Sequence, residues 1–232
     1  MTEILRYLTD ILSLLTSAIV LAGYHLYLAW QIRRNPSYSV RTLHAIARSA
    51  WVESVMKNGR DILAVQTLRN STMAASFLAS TAILLIVGVL SLSGQGDKLG
   101  TTWHALGSFS DTDPSLWLVK LLLLIVDLSF AFFSFSLAIR HFHHAGYLLN
   151  IPNHPVITPA YVSAYINQAG RYYSMGMRAY YFLLPLVFWL FGPILMVIAV
   201  LTLVFILYHL DRADVIDLDM HGTFEKPGTP YR

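Results

Sequence analysis

The sequence predicts an all-α integral membrane protein, a bundle of four transmembrane helices with two amphipathic helices on the cytoplasmic side. Of its 232 residues, 56% are hydrophobic and only 12% are charged, whereas soluble domains carry about 25% charged residues. Four apolar segments are long enough to cross a hydrocarbon core of about 30 Å, which takes roughly 20 helical residues. The chain has no cysteine, which excludes disulfides, thiol nucleophiles and thiolate metal sites.

The predicted spans cover residues 10–32, 71–94, 116–139 and 180–210 within a single membrane domain of residues 1–232. The first segment has neither a basic n-region nor a small-residue cleavage site, so we expect it to be retained as a span. The fourth is longer than a span requires and contains two prolines, Pro185 and Pro193. Membrane helices tolerate proline where neighbours satisfy the freed carbonyl groups, so a kink or tilt is expected there.

The distribution of basic residues between the loops predicts the orientation, because cytoplasmic loops are enriched in Lys and Arg. The loop after the second span carries only Lys98. The first loop is the most basic and contains Arg33, Arg34, Arg41, Arg48, Lys57, Arg60 and Arg69. With four crossings, both termini and the tail 211–232 are predicted to be periplasmic, in the inner membrane of a bacterium.

The two cytoplasmic loops each contain a predicted interfacial helix, at about 39–57 and 158–174. In the first, Arg41, His44 and Arg48 lie on one face, the pattern of a helix resting on anionic lipid. The second begins with the capping residue Thr158. These helices either anchor and pack the bundle or form a docking surface for a partner. The predicted partners of the protein are therefore membrane lipids and either further copies of the chain or another subunit of a membrane complex.

The two halves of the chain have similar spacing. His25 precedes Pro36 by the same interval at which His144 precedes Pro155, in each case between a span and an amphipathic helix. This spacing is compatible with a parallel two-fold internal repeat about an axis along the membrane normal. Chance combined with a shared topology is the alternative explanation.

Three stretches between Gly23 and Ile83 have a family resemblance: "GYHLYL", "RNPSYSVRTLHAIARSAWVESVM" and "ILAVQTLRNSTMAASFLASTAI". They resemble the uncharacterised bacterial and plant membrane family called domain of unknown function 599. The resemblance implies a four-span bundle and no known reaction.

A polar stripe runs along the third predicted span. Residues seven apart share a helix face, and this spacing relates Lys120, Asp127, Ser134 and His141. A charge at the bilayer centre costs about 2.5–3.5 kcal/mol on insertion scales, so the stripe should face the bundle interior, a water-filled cavity or another subunit. We expect Lys120 to extend to the outer surface. Asp127 either relays protons or small cations, or is a structural acid bonded to hydroxyl groups of the second span.

A second polar cluster is predicted at the cytoplasmic mouth of the bundle. Its members are Arg48, Trp51, Gln66, Arg69 and Asn70. Gln66 and Arg69 could fix an anionic group, or a carboxylate such as that of Glu53. The alternative is that Arg69 extends to a lipid phosphate.

Histidines near the inner ends of the first and third spans raise the question of a metal or haem. His25, His141 and His144 are the candidate ligands, because imidazole binds transition metals and haem iron. No accompanying ligand motif is present, so no cofactor is predicted, and haem or a transition metal is kept as an alternative. Hydrolase and phosphate-loop motifs are also absent from the sequence, and the basic loop is better explained by lipid than by nucleic acid.

These observations favour a non-enzymatic, oligomeric membrane protein whose polar stripe suits the passage of protons or small ions, as in a channel or transporter. The alternative is a structural or accessory subunit of a larger membrane complex. A haem or metal redox protein is the third class considered.

Overall fold

The computed structural model describes residues 2–34, 39–59, 61–94, 114–151 and 154–212. In these ranges the chain forms six α-helices and no β-strand, apart from one isolated bridge between Ser39 and Arg212. The helices are α1 (Thr2–Arg34), α2 (Val40–Asn58), α3 (Asp61–Ser93), α4 (Pro114–Leu149), α5 (Pro159–Phe191) and α6 (Pro193–Asp211).

Five of the described helices, all except α2, are long and apolar enough to cross a membrane. The predicted all-helical, multi-pass character is therefore confirmed, whereas the predicted number of four spans is not. The first and third predicted spans lie within α1 and α4, and the second lies within α3 except for Gly94, one residue past its end. Each of these helices begins before the apolar segment on which its prediction was based.

The fourth predicted span differs most from the structure. The predicted interfacial helix at 158–174 and the first part of the span at 180–210 form one continuous helix, α5. That helix ends at Phe191, Gly192 is extended, and Pro193 begins α6. Proline has no amide hydrogen and cannot bond to the carbonyl four residues earlier. That carbonyl belongs to Trp189, and it accepts a hydrogen bond from Lys120 Nζ at 3.1 Å.

Helices α5 and α6 pack as an antiparallel hairpin around Gly192. Arg178, well before the break, forms an ion pair of 2.8 Å with Asp211, at the far end of α6. Tyr24 of α1 also donates to Asp211, over 2.8 Å. The bundle therefore has a Gly192 end, where α1 begins, and an α2 end, where α1, α4 and α6 finish.

The hairpin changes the expected placement of the C-terminal tail. Arg212 pairs with Ser39 immediately before α2, so the tail begins at the α2 end, opposite the start of α1. The expectation that both termini share one side depended on four crossings and does not follow from this arrangement. Residues 213–232 of the predicted external tail lie outside the described residues.

The internal repeat is also not evident in the structure. In the first half, α2 is a separate helix that begins after the Ser39 N-cap and ends at Gly59, which has a positive φ of 60°. In the described part of the second half, the corresponding residues are the first turns of α5. The two halves therefore have different helical architectures.

Helix α4 lies between α3 and α5, and small residues permit their close packing. Ala79, Ala131 and Ala179 are buried around Phe135, which has no exposed surface. Gly176 faces the same ring, and a methyl group added there would lie 2.7 Å from it. Helix α2 packs chiefly on α5, where the Asn167 amide donates to Ser49 Oγ at 3.1 Å and to the Ala45 carbonyl at 3.4 Å.

Candidate functional site: a basic cavity and the intramembrane polar residues

Lys120 is buried instead of extending to the outer surface, so the sequence-based prediction for its side chain is wrong. Only 2% of its side chain is exposed, and Nζ lies 3.0 Å from Asp10 Oδ1. The Trp189 indole donates to the same carboxylate oxygen at 2.7 Å. The partner comes from α1, which the spacing within the third span could not reveal. Lys120 therefore connects α1, α4 and the last turn of α5.

Asp127 lies about 10 Å further along α4, at a rise of 1.5 Å per residue. It is half-buried, and its Oδ2 atom has no hydrogen-bond partner among the described residues. The hydroxyl of Ser17, on α1, is likewise buried without a partner there. The second span does not provide the hydroxyl contacts that the structural interpretation of Asp127 expected.

The remaining two stripe residues have different surroundings. Ser134 is buried. The His141 ring packs against Tyr165 and Tyr172 of α5, with centroid distances of 5.1 Å to each. The stripe therefore consists of an ion pair, an unpartnered carboxylate oxygen, a buried hydroxyl and an aromatic cluster along one helix.

We expect Asp127→Asn to change the free energy of unfolding by less than about 1 kcal/mol, because the amide keeps the shape of a group that has no cationic partner among the described residues. Asp10→Asn is the matched control, since the same change removes the charge that faces Lys120. Detergent melting curves of both variants would measure the difference. A loss of about 3–5 kcal/mol in Asp127→Asn would instead identify it as half of an ion pair.

A cavity of about 950 Å³ lies at the α2 end, between α2, α3, α5 and α6, with Phe142 of α4 also in its wall. Its charged and polar wall includes Arg41, His44, Arg48, Thr67, Asn70, Ser71, Arg178 and Asp211. Its apolar wall includes Trp51, Leu68, Phe142, Ile166, Met177 and Leu207. The cavity is therefore amphipathic, with most of its cationic groups contributed by α2.

Among the described residues, the cavity wall has more arginines than acids. Arg178 is paired with Asp211 through two contacts of 2.8 and 3.0 Å. Burial lowers the pKa of Arg48, and the neighbouring Arg171 lowers it further. The Arg41 side chain is exposed at the edge of the wall; the desolvation that remains there and the nearby Arg178 lower its pKa, and Asp211 opposes the shift. Among the described lining residues, three guanidinium groups thus accompany one carboxylate, an excess of two positive charges.

The predicted mouth cluster is divided by the fold. Arg48, Trp51 and Asn70 line the cavity, whereas Gln66 and Arg69 are exposed and are not among the lining residues. The reason is helical periodicity, because Thr67, Asn70 and Ser71 share one face of α3 and Arg69 is on another. The sequence reasoning did not include Arg178 and Asp211, whose only signal was opposite charge at the ends of one apolar segment.

The candidate histidine ligands do not converge. His25 Nδ1 lies 2.8 Å from the Leu21 carbonyl, and its ring contacts Phe182. His141 Nδ1 lies 2.8 Å from the Leu137 carbonyl, and His144 packs against Tyr165. Among the described residues, no group of three or more His, Cys, Asp or Glu side chains is arranged to hold a metal ion.

Long apolar helices and an amphipathic cavity at one end of the bundle define a multi-pass helical membrane protein. The family model described as "Protein of unknown function, DUF599" matches residues 12–215. The chain therefore belongs to this family, which confirms the resemblance found between Gly23 and Ile83. No curated protein and no solved structure matches the chain.

Proposed function

We propose that the protein binds an anionic amphiphile in the cavity at the α2 end, as a non-enzymatic membrane protein. The observation that carries the proposal is the excess of guanidinium groups in a cavity that also has an extensive apolar wall. The partly buried guanidinium groups of Arg48 and Arg178 need an anionic partner, and the described part of the cavity wall supplies only Asp211. A ligand with a negative group and an apolar remainder complements both walls.

The position of the cavity supports a ligand taken from the membrane. Most of its arginines are on α2, the one described helix that is not among the candidate spans. Basic residues are concentrated on the cytoplasmic side of membrane proteins, and anionic lipids attract them there. We therefore place the α2 end in the cytoplasmic leaflet of a bacterial inner membrane. In this orientation the start of the tail is cytoplasmic.

Removing the cavity charges should weaken stabilisation by anionic lipid. We expect the double variant Arg41→Gln, Arg48→Gln to lose most of the increase in melting temperature that phosphatidic acid confers on the wild-type protein in detergent micelles. A ligand present at a hundred times its Kd stabilises by about 2.7 kcal/mol, so the loss should be measurable.

Arg69→Gln is the matched control for this experiment, because it removes one charge at the same end of the bundle from an exposed side chain outside the cavity. It should retain the wild-type response to lipid. Equal responses of the wild-type protein and the double variant would contradict binding in the cavity.

A second candidate function is the passage of protons or small cations along α4. The observation that favours it is the buried Asp127 oxygen, which has no hydrogen-bond partner within the described ranges, since an intramembrane acid of this kind is characteristic of ion pathways. Asp127→Asn should then abolish any pH-dependent flux in proteoliposomes while the protein remains folded. The same flux in wild type and variant would remove this candidate.

A further inference from the structure

We infer that the ligand of the cavity carries a terminal phosphate, that is, a phosphomonoester lipid, and that Arg48 is the residue that recognises it. This inference rests on the proposed function, because it specifies the anionic group of the amphiphile. It is carried by the way in which α5 holds the Arg48 side chain.

Arg48 is fixed by one hydrogen bond that leaves its outer edge available. Its Nε donates to Asn167 Oδ1 at 2.8 Å, and the same amide donates to the α2 backbone and to Ser49. No further hydrogen bond of Arg48 is found in the part of the chain that the structure describes. The bond through Nε orients the guanidinium group on the cavity wall and leaves its two terminal nitrogens available to a ligand. A guanidinium oriented in this way suits two parallel hydrogen bonds to an oxyanion.

Gly170 provides the surface on which this guanidinium lies. A methyl group at Gly170 would lie 3.0 Å from Arg48 Cζ and 3.2 Å from each terminal nitrogen. Those distances are tighter than ordinary van der Waals contact, so any larger residue at this position would displace the guanidinium. Gly170 therefore permits Arg48 to lie flat against α5 and determines where its two terminal nitrogens are.

The charge of the cavity distinguishes a phosphomonoester from a phosphodiester. In the part of the wall that the structure describes, there is an excess of two positive charges, because Asp211 offsets only one of three arginines. A phosphomonoester carries about −1.5 to −2 charges at pH 7 and three strong acceptor oxygens. A diester phosphate carries one charge and has only two unesterified oxygens. The monoester thus better satisfies both terminal nitrogens of Arg48 and the additional cation Arg41.

The apolar wall indicates that the phosphate is attached to a lipid. Trp51, Leu68, Phe142 and Ile166 line the same cavity as the arginines. Inorganic phosphate would contact the cationic wall but would leave these side chains unoccupied. A lipid headgroup and free inorganic phosphate present the same phosphate chemistry, so the test includes both ligands.

The test is a titration of the purified full-length protein in detergent micelles with dioleoyl phosphatidic acid, dioleoyl phosphatidylglycerol and inorganic phosphate. The melting temperature gives an apparent Kd for each. We expect phosphatidic acid to bind about tenfold more tightly than phosphatidylglycerol, with inorganic phosphate weaker than both. Arg48→Lys keeps the charge but not the planar fork, and it should remove the preference for phosphatidic acid.

Glycine variants separate recognition from folding. Gly170→Ala should reduce affinity for phosphatidic acid because the guanidinium must move. Gly23→Ala is the matched control, since nothing lies within 4 Å of an added methyl group there. Both changes raise helix propensity, so neither should lower the melting temperature without ligand. Arg69→Gln should bind as the wild-type protein does.

The outcomes distinguish this inference from the proposed function. If the two lipids bind with equal affinity, and the double variant Arg41→Gln, Arg48→Gln reduces both affinities, the preference for a phosphomonoester is overturned. The proposed binding of an anionic amphiphile is then retained. If inorganic phosphate binds as tightly as phosphatidic acid, the inference that the phosphate is carried by a lipid is overturned. Lipid binding that is absent, or unaffected by the double variant, would overturn both proposals. Loss of the preference in Arg48→Lys and Gly170→Ala, but not in Gly23→Ala, supports the assignment of Arg48.

Discussion

We expect Lys120→Met to lower the free energy of unfolding by about 3–5 kcal/mol, the loss typical of removing one partner of a buried ion pair. Of its contacts with described residues, the Asp10 carboxylate would keep the hydrogen bond from Trp189, and the Trp189 carbonyl would lose the donor that replaces its helical partner. Because this contact lies beside the break at Gly192, α1 and the end of α5 should both loosen. Equilibrium unfolding in detergent would measure the change.

The double variant Asp10→Asn, Lys120→Met is the control for the uncompensated charge. An amide at residue 10 still accepts from the Trp189 indole, so the double variant should recover a large part of the lost stability. Replacement of a buried ion pair by neutral groups is often close to neutral in proteins. A double variant no more stable than Lys120→Met alone would show that packing of the lysine stem, and not the charge, is the important contribution.

Gly176→Ala is expected to destabilise the bundle by about 1–3 kcal/mol, the range for overpacking a core. The added methyl group would lie 2.7 Å from Cε1 and Cζ of Phe135. That ring has no exposed surface and contacts the rings of Tyr173 and Tyr180, with centroids 5.7 and 5.4 Å away. It therefore cannot move aside, and α5 would have to separate from α4. Thermal unfolding would record the loss.

Two comparisons make the result specific to this contact. Gly88→Ala, in open space on α3, should be neutral or stabilise by up to about 1 kcal/mol through helix propensity. Phe135→Leu combined with Gly176→Ala should recover stability relative to Gly176→Ala, because the smaller side chain leaves room for the methyl group. If Gly176→Ala melts as Gly88→Ala does, the α4–α5 contact is looser than the structure indicates.

The sequence by itself determined the class of protein and the approximate position of most helices. Apolar runs of this length can satisfy their backbone groups in a membrane only as helices, so α1, α3 and α4 follow from composition alone. The helix predicted at about 39–57 corresponds to α2, whose caps in the structure are Ser39 at its start and Gly59 at its end. Membership of the family likewise follows from the sequence, because the family model matches residues 12–215.

Proline has a different effect at two positions of one apolar segment. Pro185 remains inside α5, whereas Pro193 starts a new helix after Gly192. Each proline removes one backbone hydrogen bond, and each predicts either a kink in the helix or its end. The helix ends beside Pro193, where Lys120 of α4 contacts the Trp189 carbonyl. Gly192 before Pro193 is a local break signal that Pro185 lacks, but the contact with Lys120, which is distant in the chain, could not be read from the sequence.

The candidate site was determined by tertiary structure for the same reason. Arg48 and Trp51 could be proposed from the sequence because they share α2, but Arg178 and Asp211 join them through the α5–α6 hairpin. Likewise, Asp127 attracted attention as an acid in a span, while the acid that pairs with Lys120 is Asp10. Spacing along a helix determines which side chains share a face. Only the packing of helices decides which charge meets that face, because charge pairing acts over a few ångströms of space and not along the chain.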